Sequence, residues 1–261
     1  GSVSAWQEMS LGVELTGIRA TEVLVEVGDR VRAGQPLLKL DNRTLEVQFR
    51  QDDAGVTQAQ AALELARANA VRGDSLVEQG LISSSDSDKL RADLRSAEAQ
   101  LITAQADRDA ARLRLGFATL SAPDDGIISA RLVQPGQVVS AGSELLRLIR
   151  RGRIEWRADL AEADLIRVTP GTIVELDGPA GTVIRGQVRA VSPAVDPATR
   201  TGLLYADLPE PGPLRAGMFA EGRILIGKAA ASVVPRESVV FRDGFAYLFV
   251  LKPLDGAETG N

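Results

Sequence analysis

Residues 42–117 constrain this chain more than any other stretch. Apolar and small residues recur there at alternating spacings of four and three. The first run is Leu45, Phe49, Asp52, Val56, Ala59, Leu63, Ala66 and Ala70, broken only by Asp52. The second is Leu90, Leu94, Ala97, Leu101, Ala104, Arg108, Ala111 and Leu115, broken only by Arg108. A sustained period of 3.5 residues predicts two helices wound on each other rather than one helix lying on a broad core. The connection, residues 80–83, is only a few residues long, so the helices must be antiparallel neighbours. At 1.5 Å per residue, thirty-odd residues make a rod on the order of 50 Å long. Gly55 and Gly73 read as exposed glycines that weaken the first helix. With Asp52 in the seam, a slight bend is expected near residues 52–55.

Composition removes several function classes. The 261 residues contain no cysteine and no histidine, which excludes thiol nucleophiles, imidazole bases and zinc-finger sites. The net charge of −5 argues against a general nucleic-acid binder. No apolar run reaches the ~18 residues needed to span a bilayer. Gly1-Ser2 reads as a cloning remnant, so a leader or lipid anchor is expected to be missing before it.

On either side of the rod lies a repeat. Residues 24–40 align with residues 132–148 at an offset of 108, and nine of the seventeen positions are identical, including Gly28/Gly136, Gly34/Gly142, Leu37/Leu145 and Leu40/Leu148. Each copy alternates apolar and polar residues around two glycines, the pattern of short strands and tight turns. Neither copy can bury a core alone, so the two are expected to pack together with pseudo-two-fold symmetry.

Two β halves with a Val–Gly–Asp–x–Val–x–x–Gly signature resemble a biotinyl/lipoyl domain. With a coiled-coil hairpin inserted between them, the chain resembles the periplasmic adaptor subunits of tripartite efflux pumps, the membrane fusion proteins of HlyD/AcrA type. At the hairpin tip, Arg72, Leu76 and Ser83 fall in the spacing R-x3-L-x6-S. The resemblance implies that these three dock onto a TolC-like outer-membrane channel. Each also has a plain structural reading: Arg72 as a solvated charge, Leu76 as the end of the coil, and Ser83 as the N-cap of a Ser83-Ser84-Ser85-Asp86 capping box.

Residues 151–227 read as a small β-barrel, with strands near 154–160, 173–176, 183–191, 203–208 and 220–226 and one short helix over 161–168. Glu162-Ala163-Asp164-Leu165, the run Asp196 to Thr201 and the run Leu214 to Phe219 resemble family segments E-x-D-L, D-x-x-T-R-T and L-R-x-G-M. Turn chemistry explains most of them: Pro197 fixes φ, Gly217 permits a tight turn, and Arg200 is expected to cap carbonyls or pair with a carboxylate. Beyond residue 228, strands around Asp243-Gly244 resemble the start of a membrane-proximal domain, whose remaining strands are expected to be missing. Trp6-Gln7-Glu8 resembles its entry strand.

The expected fold is therefore mixed α and β, elongated and multidomain. Its divisions are a partial membrane-proximal domain (1–12 and 228–261), a β-barrel (13–17 and 151–227), a split lipoyl-like domain (18–41 and 118–150) and the α-hairpin (42–117). Flexible joints are expected near Asn42 and Phe117 and near Arg151. Catalysis is not expected: Asp52-Asp53 diverge on a helix, and Asp124-Asp125 open a turn. A lipoyl-type carrier would need a modified lysine at the junction, where only Lys89 stands, with Lys39 inside a strand. Met9 and Met218 are the only soft metal ligands, and no cofactor is expected. By resemblance, the partners are an inner-membrane transporter of the resistance-nodulation-division (RND) type, the outer-membrane channel and other copies of the chain in a six-membered ring. An ABC exporter or type I secretion system is the alternative assembly.

Overall fold

The structure, a computed structural model, describes residues 1–227 and 234–249. It divides into two compact units, Gly1–Ile224 and Leu225–Asn261.

In the first unit the repeat builds two four-stranded sheets. One has the order β2 (Glu8–Leu11), β9 (Leu146–Arg150), β7 (Gly126–Arg131), β4 (Arg30–Val31). The other has the order β6 (Thr119–Ser121), β5 (Pro36–Leu40), β3 (Ile18–Val23), β8 (Val138–Val139). Each copy lends its short strand to the other copy's sheet, so neither copy completes its sheet by itself. The exchange is symmetric to the hydrogen bond. Gly28 N–H donates to the Ile128 carbonyl at 2.9 Å, and Gly136 N–H donates to the Ala20 carbonyl at 2.8 Å. Ile128 N–H returns a bond to Asp29 at 3.0 Å, as Ala20 N–H does to Gln137 at 2.8 Å. Gly28 and Gly136 sit at φ 98° and 89°, a conformation closed to most side-chain-bearing residues. The conserved spacing of leucines in the two copies then meets inside: Leu37, Leu38, Leu40, Leu145, Leu146 and Leu148 are buried in one cluster.

The rod is α1 (Arg43–Glu78) and α2 (Ser84–Gly116). All sixteen predicted seam positions are buried or half-buried while their flanks are mostly exposed. Leu40 N–H donates to the Ala118 carbonyl at 2.8 Å and closes the base, where Leu45 packs against the lipoyl-like core. α1 runs unbroken through Asp52 and Gly55. Gly73 departs from expectation: it is buried, because the seam continues past Ala70 by one more step of three.

The second core belongs to a six-stranded sheet, ordered β1 (Ser2–Ala5), β10 (Ile154–Ala161), β13 (Thr201–Asp207), β12 (Val183–Val191), β11 (Ile173–Asp177), β14 (Gly222–Leu225). Val3 N–H donates to Met218 at 2.7 Å and Gly217 N–H to Val3 at 2.8 Å, so β1 closes the sheet toward a barrel. The predicted helix shrinks to α3 (Glu162–Leu165).

Residues 1–12 correct the sequence reading. Expected beside the membrane-proximal part, their strands pair within the first unit. β1 pairs with Ile154 to Arg157, and β2 pairs with Leu146 to Ile149. Residues 13–17, expected in the barrel, join the lipoyl-like fold: Val13 is in its core, and Thr16 Oγ1 accepts from Ala141 N–H at 2.9 Å. Short alternating strands show which face is buried but not which sheet they join.

The second unit contains β15 (Val239–Arg242) and β16 (Phe245–Leu248), an antiparallel hairpin. Asp243 and Gly244 turn it with φ 52° and 81°, as an Asp-Gly turn requires. Residues 228–233 and 250–261, on which part of the membrane-proximal expectation falls, lie outside the described residues.

Candidate functional site

The free end of the hairpin carries the predicted tip residues. α1 stops at Glu78, and Gly80 turns the chain at φ 69°. Gly80 N–H donates to Val77 and Leu81 N–H to Leu76, both at 2.9 Å, the paired bonds of a glycine-terminated helix. α2 starts with Ser83 as N-cap. Its Oγ accepts from Asp86 N–H at 3.1 Å and donates to the Asp86 carboxylate at 2.6 Å. The capping role read from the sequence is therefore present.

Arg72 and Leu76 occupy successive turns of α1, four residues apart, and so share a face. Arg72 is exposed and donates to Asn69 Oδ1 at 2.5 Å along its own helix. Leu76 is half-buried, and its carbonyl is used by the turn. Ser83 is exposed on the far side of the loop. The tip thus offers a cation, part of an aliphatic side chain and a hydroxyl on a loop fixed at both ends.

Sequence reading missed the contact beneath the tip. Asp74 Oδ1 accepts from Ser87 Oγ at 2.9 Å and from Arg91 Nε at 3.0 Å across the helices. Ser87 is only 3% exposed. The signal was available: Ser87 lies one step of three before Leu90 and one heptad before Leu94.

The other flagged residues have structural employment. Asp52 accepts from Gln48 at 3.0 Å, and Arg108 pairs with its neighbour Asp109 at 2.8 Å. Asp124 accepts from Arg150 Nε at 2.5 Å; this bond, then the Asp125 amide, holds its carboxyl below the usual range. Asp125 Oδ1 accepts from Ala33 N–H at 2.9 Å. Lys39 pairs with Glu22 at 2.9 Å on the face of a strand, and Lys89 is exposed on α2. Among the described residues, no cluster of three or more His, Cys, Asp or Glu could hold a metal ion. No helix among them is long and apolar enough to cross a membrane.

In the barrel, Gly217 has φ 93° and makes the turn that bonds to β1. Arg200 differs from expectation. Its backbone is left-handed at φ 52°, its amide donates to Asp196 at 2.7 Å, and among the described residues its guanidinium has no hydrogen-bond or ion-pair partner. The loop is held by Asp196 and by the Thr199 and Thr201 hydroxyls, 2.8 Å apart, rather than by the arginine side chain.

Residues 47–118 match the family described as RND MFP, alpha-helical hairpin domain, and residues 156–226 match the CusB-like beta-barrel domain. The chain is 32% identical over 238 residues to nodulation protein NolF of Rhizobium meliloti, covering 88% of this chain and 64% of NolF. It is 27% identical over 247 residues to macrolide export protein MacA of Escherichia coli O157:H7, covering 86% and 66% of the two chains. It therefore spans about two thirds of the length of these relatives. Among solved structures, the membrane fusion protein Spr0693 of Streptococcus pneumoniae R6 superposes with a TM-score of 0.68 at 17% identity, covering 86% of this chain and 96% of that one. MacA of Actinobacillus actinomycetemcomitans gives 0.64 at 23% identity, covering 86% and 76%. Both share the fold. A paired-helix rod inserted in a split β repeat, followed by a β-barrel, with both matched domains falling on those elements, places this chain in the membrane fusion protein family.

Proposed function

We propose that the chain is a periplasmic adaptor that joins an inner-membrane transporter to a TolC-like outer-membrane channel in an export pump. Its role is mechanical rather than catalytic. The observation that carries this reading is the hairpin: a two-helix rod clamped at its base and ending in Arg72, Leu76 and Ser83 on a fixed turn. A structural protein built on the coil alone would not need the split β repeat that returns the chain to its starting point.

In this reading the tip meets the channel, and the barrel and the membrane-proximal part meet the transporter. Six copies form the ring, with lipoyl-like domains side by side. The RND description of the matched hairpin domain favours an RND transporter over an ABC exporter.

The test is binding to a purified TolC-like channel by wild type, Arg72→Asp and Ser83→Ala. Loss for Arg72→Asp with helicity and melting unchanged supports docking at the tip. Equal binding by all three would sink the tip assignment.

A further inference from the structure

The tip is held by something the seam does not require. Along most of the rod the facing layers are alanine and leucine. Such layers resemble one another and tolerate small axial shifts and rotations. The two polar breaks in the seam do not prevent this, since Asp52 and Arg108 are each satisfied along their own helix. Among the described residues, the side-chain hydrogen bonds and ion pairs that cross between α1 and α2 are those of Asp74 with Ser87 and Arg91. Arg91 is further steadied by Asp88 at 3.6 Å. Beside them the helices approach closely, because Gly73 has no side chain: a Cβ there would stand 2.5 Å from Leu90 Cδ1.

A polar pair with one good geometry fixes an offset that apolar layers leave loose. Here it falls within one turn of Arg72 and Leu76. We propose that Gly73, Asp74, Ser87 and Arg91 are positioning residues that set the offset and rotation of the last turns. Arg72 and Leu76 on α1 and Ser83 before α2 then reach the channel as one surface. This rests on the docking reading above. Asp74 lies between two docking residues in sequence but faces the other helix, so it serves the surface without belonging to it.

The chain has no cysteine, so pairs of spin labels can be placed cleanly. One pair, at Ser75 and Lys89, reports the tip. A second, at Gln60 and Ile102, reports the middle of the rod. Asp74→Ala and Ser87→Ala should broaden the tip distances and leave the mid-rod distances and total helicity unchanged. Affinity for the channel should fall about tenfold. Asp74→Asn, which keeps an acceptor for Ser87, should recover much of the loss. Unchanged tip distances in both alanine variants would overturn the proposal. Broadened distances with wild-type affinity would overturn the link to docking. If the wild type failed to bind the channel while its tip distances responded as expected, the docking reading would fall, and the pin would stand as a register device alone.

Discussion

The indole of Trp6 lies 4.6 Å from the guanidinium carbon of Arg153, with Arg150 at 5.8 Å from the same ring. Trp6 and Gln7 connect β1 to β2, while residues 151–153 carry the chain from Arg150 at the end of β9 to β10. The two connectors run side by side, bonded from Trp6 N–H to Arg153 and from Arg150 N–H to Gln7, each at 3.0 Å. The joint between lipoyl-like domain and barrel is a doubled strap with an aromatic clasp. Trp6→Ala should cost about 1–2 kcal/mol for the two cation–π contacts and broaden distances between labels placed on the two domains. Interdomain distances that stay narrow would show the backbone bonds to suffice.

Glu155 is 1% exposed, yet it is paired with Arg157 at 2.9 Å and Arg189 at 2.5 Å. Arg189 faces Asp207 at 3.4 Å, and Asp207 also meets Arg153 at 2.5 Å. Removing Arg189 leaves Glu155 with one cation and Asp207 Oδ1 with none of its own. Arg189→Ala should lower barrel stability by about 3 kcal/mol in urea unfolding. A loss below about 1 kcal/mol would mean that Arg157 and water compensate.

Gly126 stands where a Cβ would meet the Ile149 carbonyl at 2.5 Å and Leu148 Cδ1 at 2.7 Å. The first obstacle is backbone and cannot rotate away. Gly126→Ala should destabilise the lipoyl-like domain by about 1–3 kcal/mol. Gly55→Ala, with nothing within 4 Å of the added carbon, should stabilise α1 by up to about 1 kcal/mol. Thermal melts of the two variants should move in opposite directions.

The seams were legible because hydropathy at a fixed period is local information. The repeat was legible because nine identities at a single offset leave little room for chance. Gly73 was not, since a glycine contributes no hydropathy and looks like a defect until its neighbour Leu90 is seen. Residues 1–17 were misplaced because strand pairing is non-local: nothing in Ser2–Ala5 names Ile154 as a partner. Arg200 was expected to cap carbonyls or pair with a carboxylate, whereas its loop is tied by Asp196 and two threonines.

The capping bond of Ser83 can be separated from the docking role proposed for it. Ser83→Ala removes the N-cap and should cost about 1 kcal/mol of helix stability. Ser83→Asn keeps a side-chain acceptor for Asp86 N–H. If it restores amide protection at Asp86 without restoring affinity for the channel, the hydroxyl itself makes the contact. Full recovery of both would assign Ser83 to capping alone.

Asp41 accepts from Arg43 Nη2 at 2.6 Å and Nε at 2.8 Å where the chain enters α1. The Arg43 side-chain bond, then its backbone amide, brings the Asp41 carboxyl down from 3.8 to about 2. A depressed carboxylate contributes fully above its unfolded value and loses that contribution as pH falls through the folded one. The clasp should therefore hold at pH 4 and release toward pH 2. Carboxyl 13C titration would show a midpoint near 2 in the wild type. In Arg43→Ala it should return toward 3.8.

The bond from Leu40 to Ala118 at the base of the rod has a consequence for how such chains diversify. The chain leaves the β domain and re-enters it through neighbouring positions, so the domain does not sense how far the excursion travels. Adding one heptad to each helix would extend the reach by roughly 10 Å and leave both cores untouched. The reach of the hairpin is thus set by whole repeats in one insert, independent of the two β cores it leaves behind.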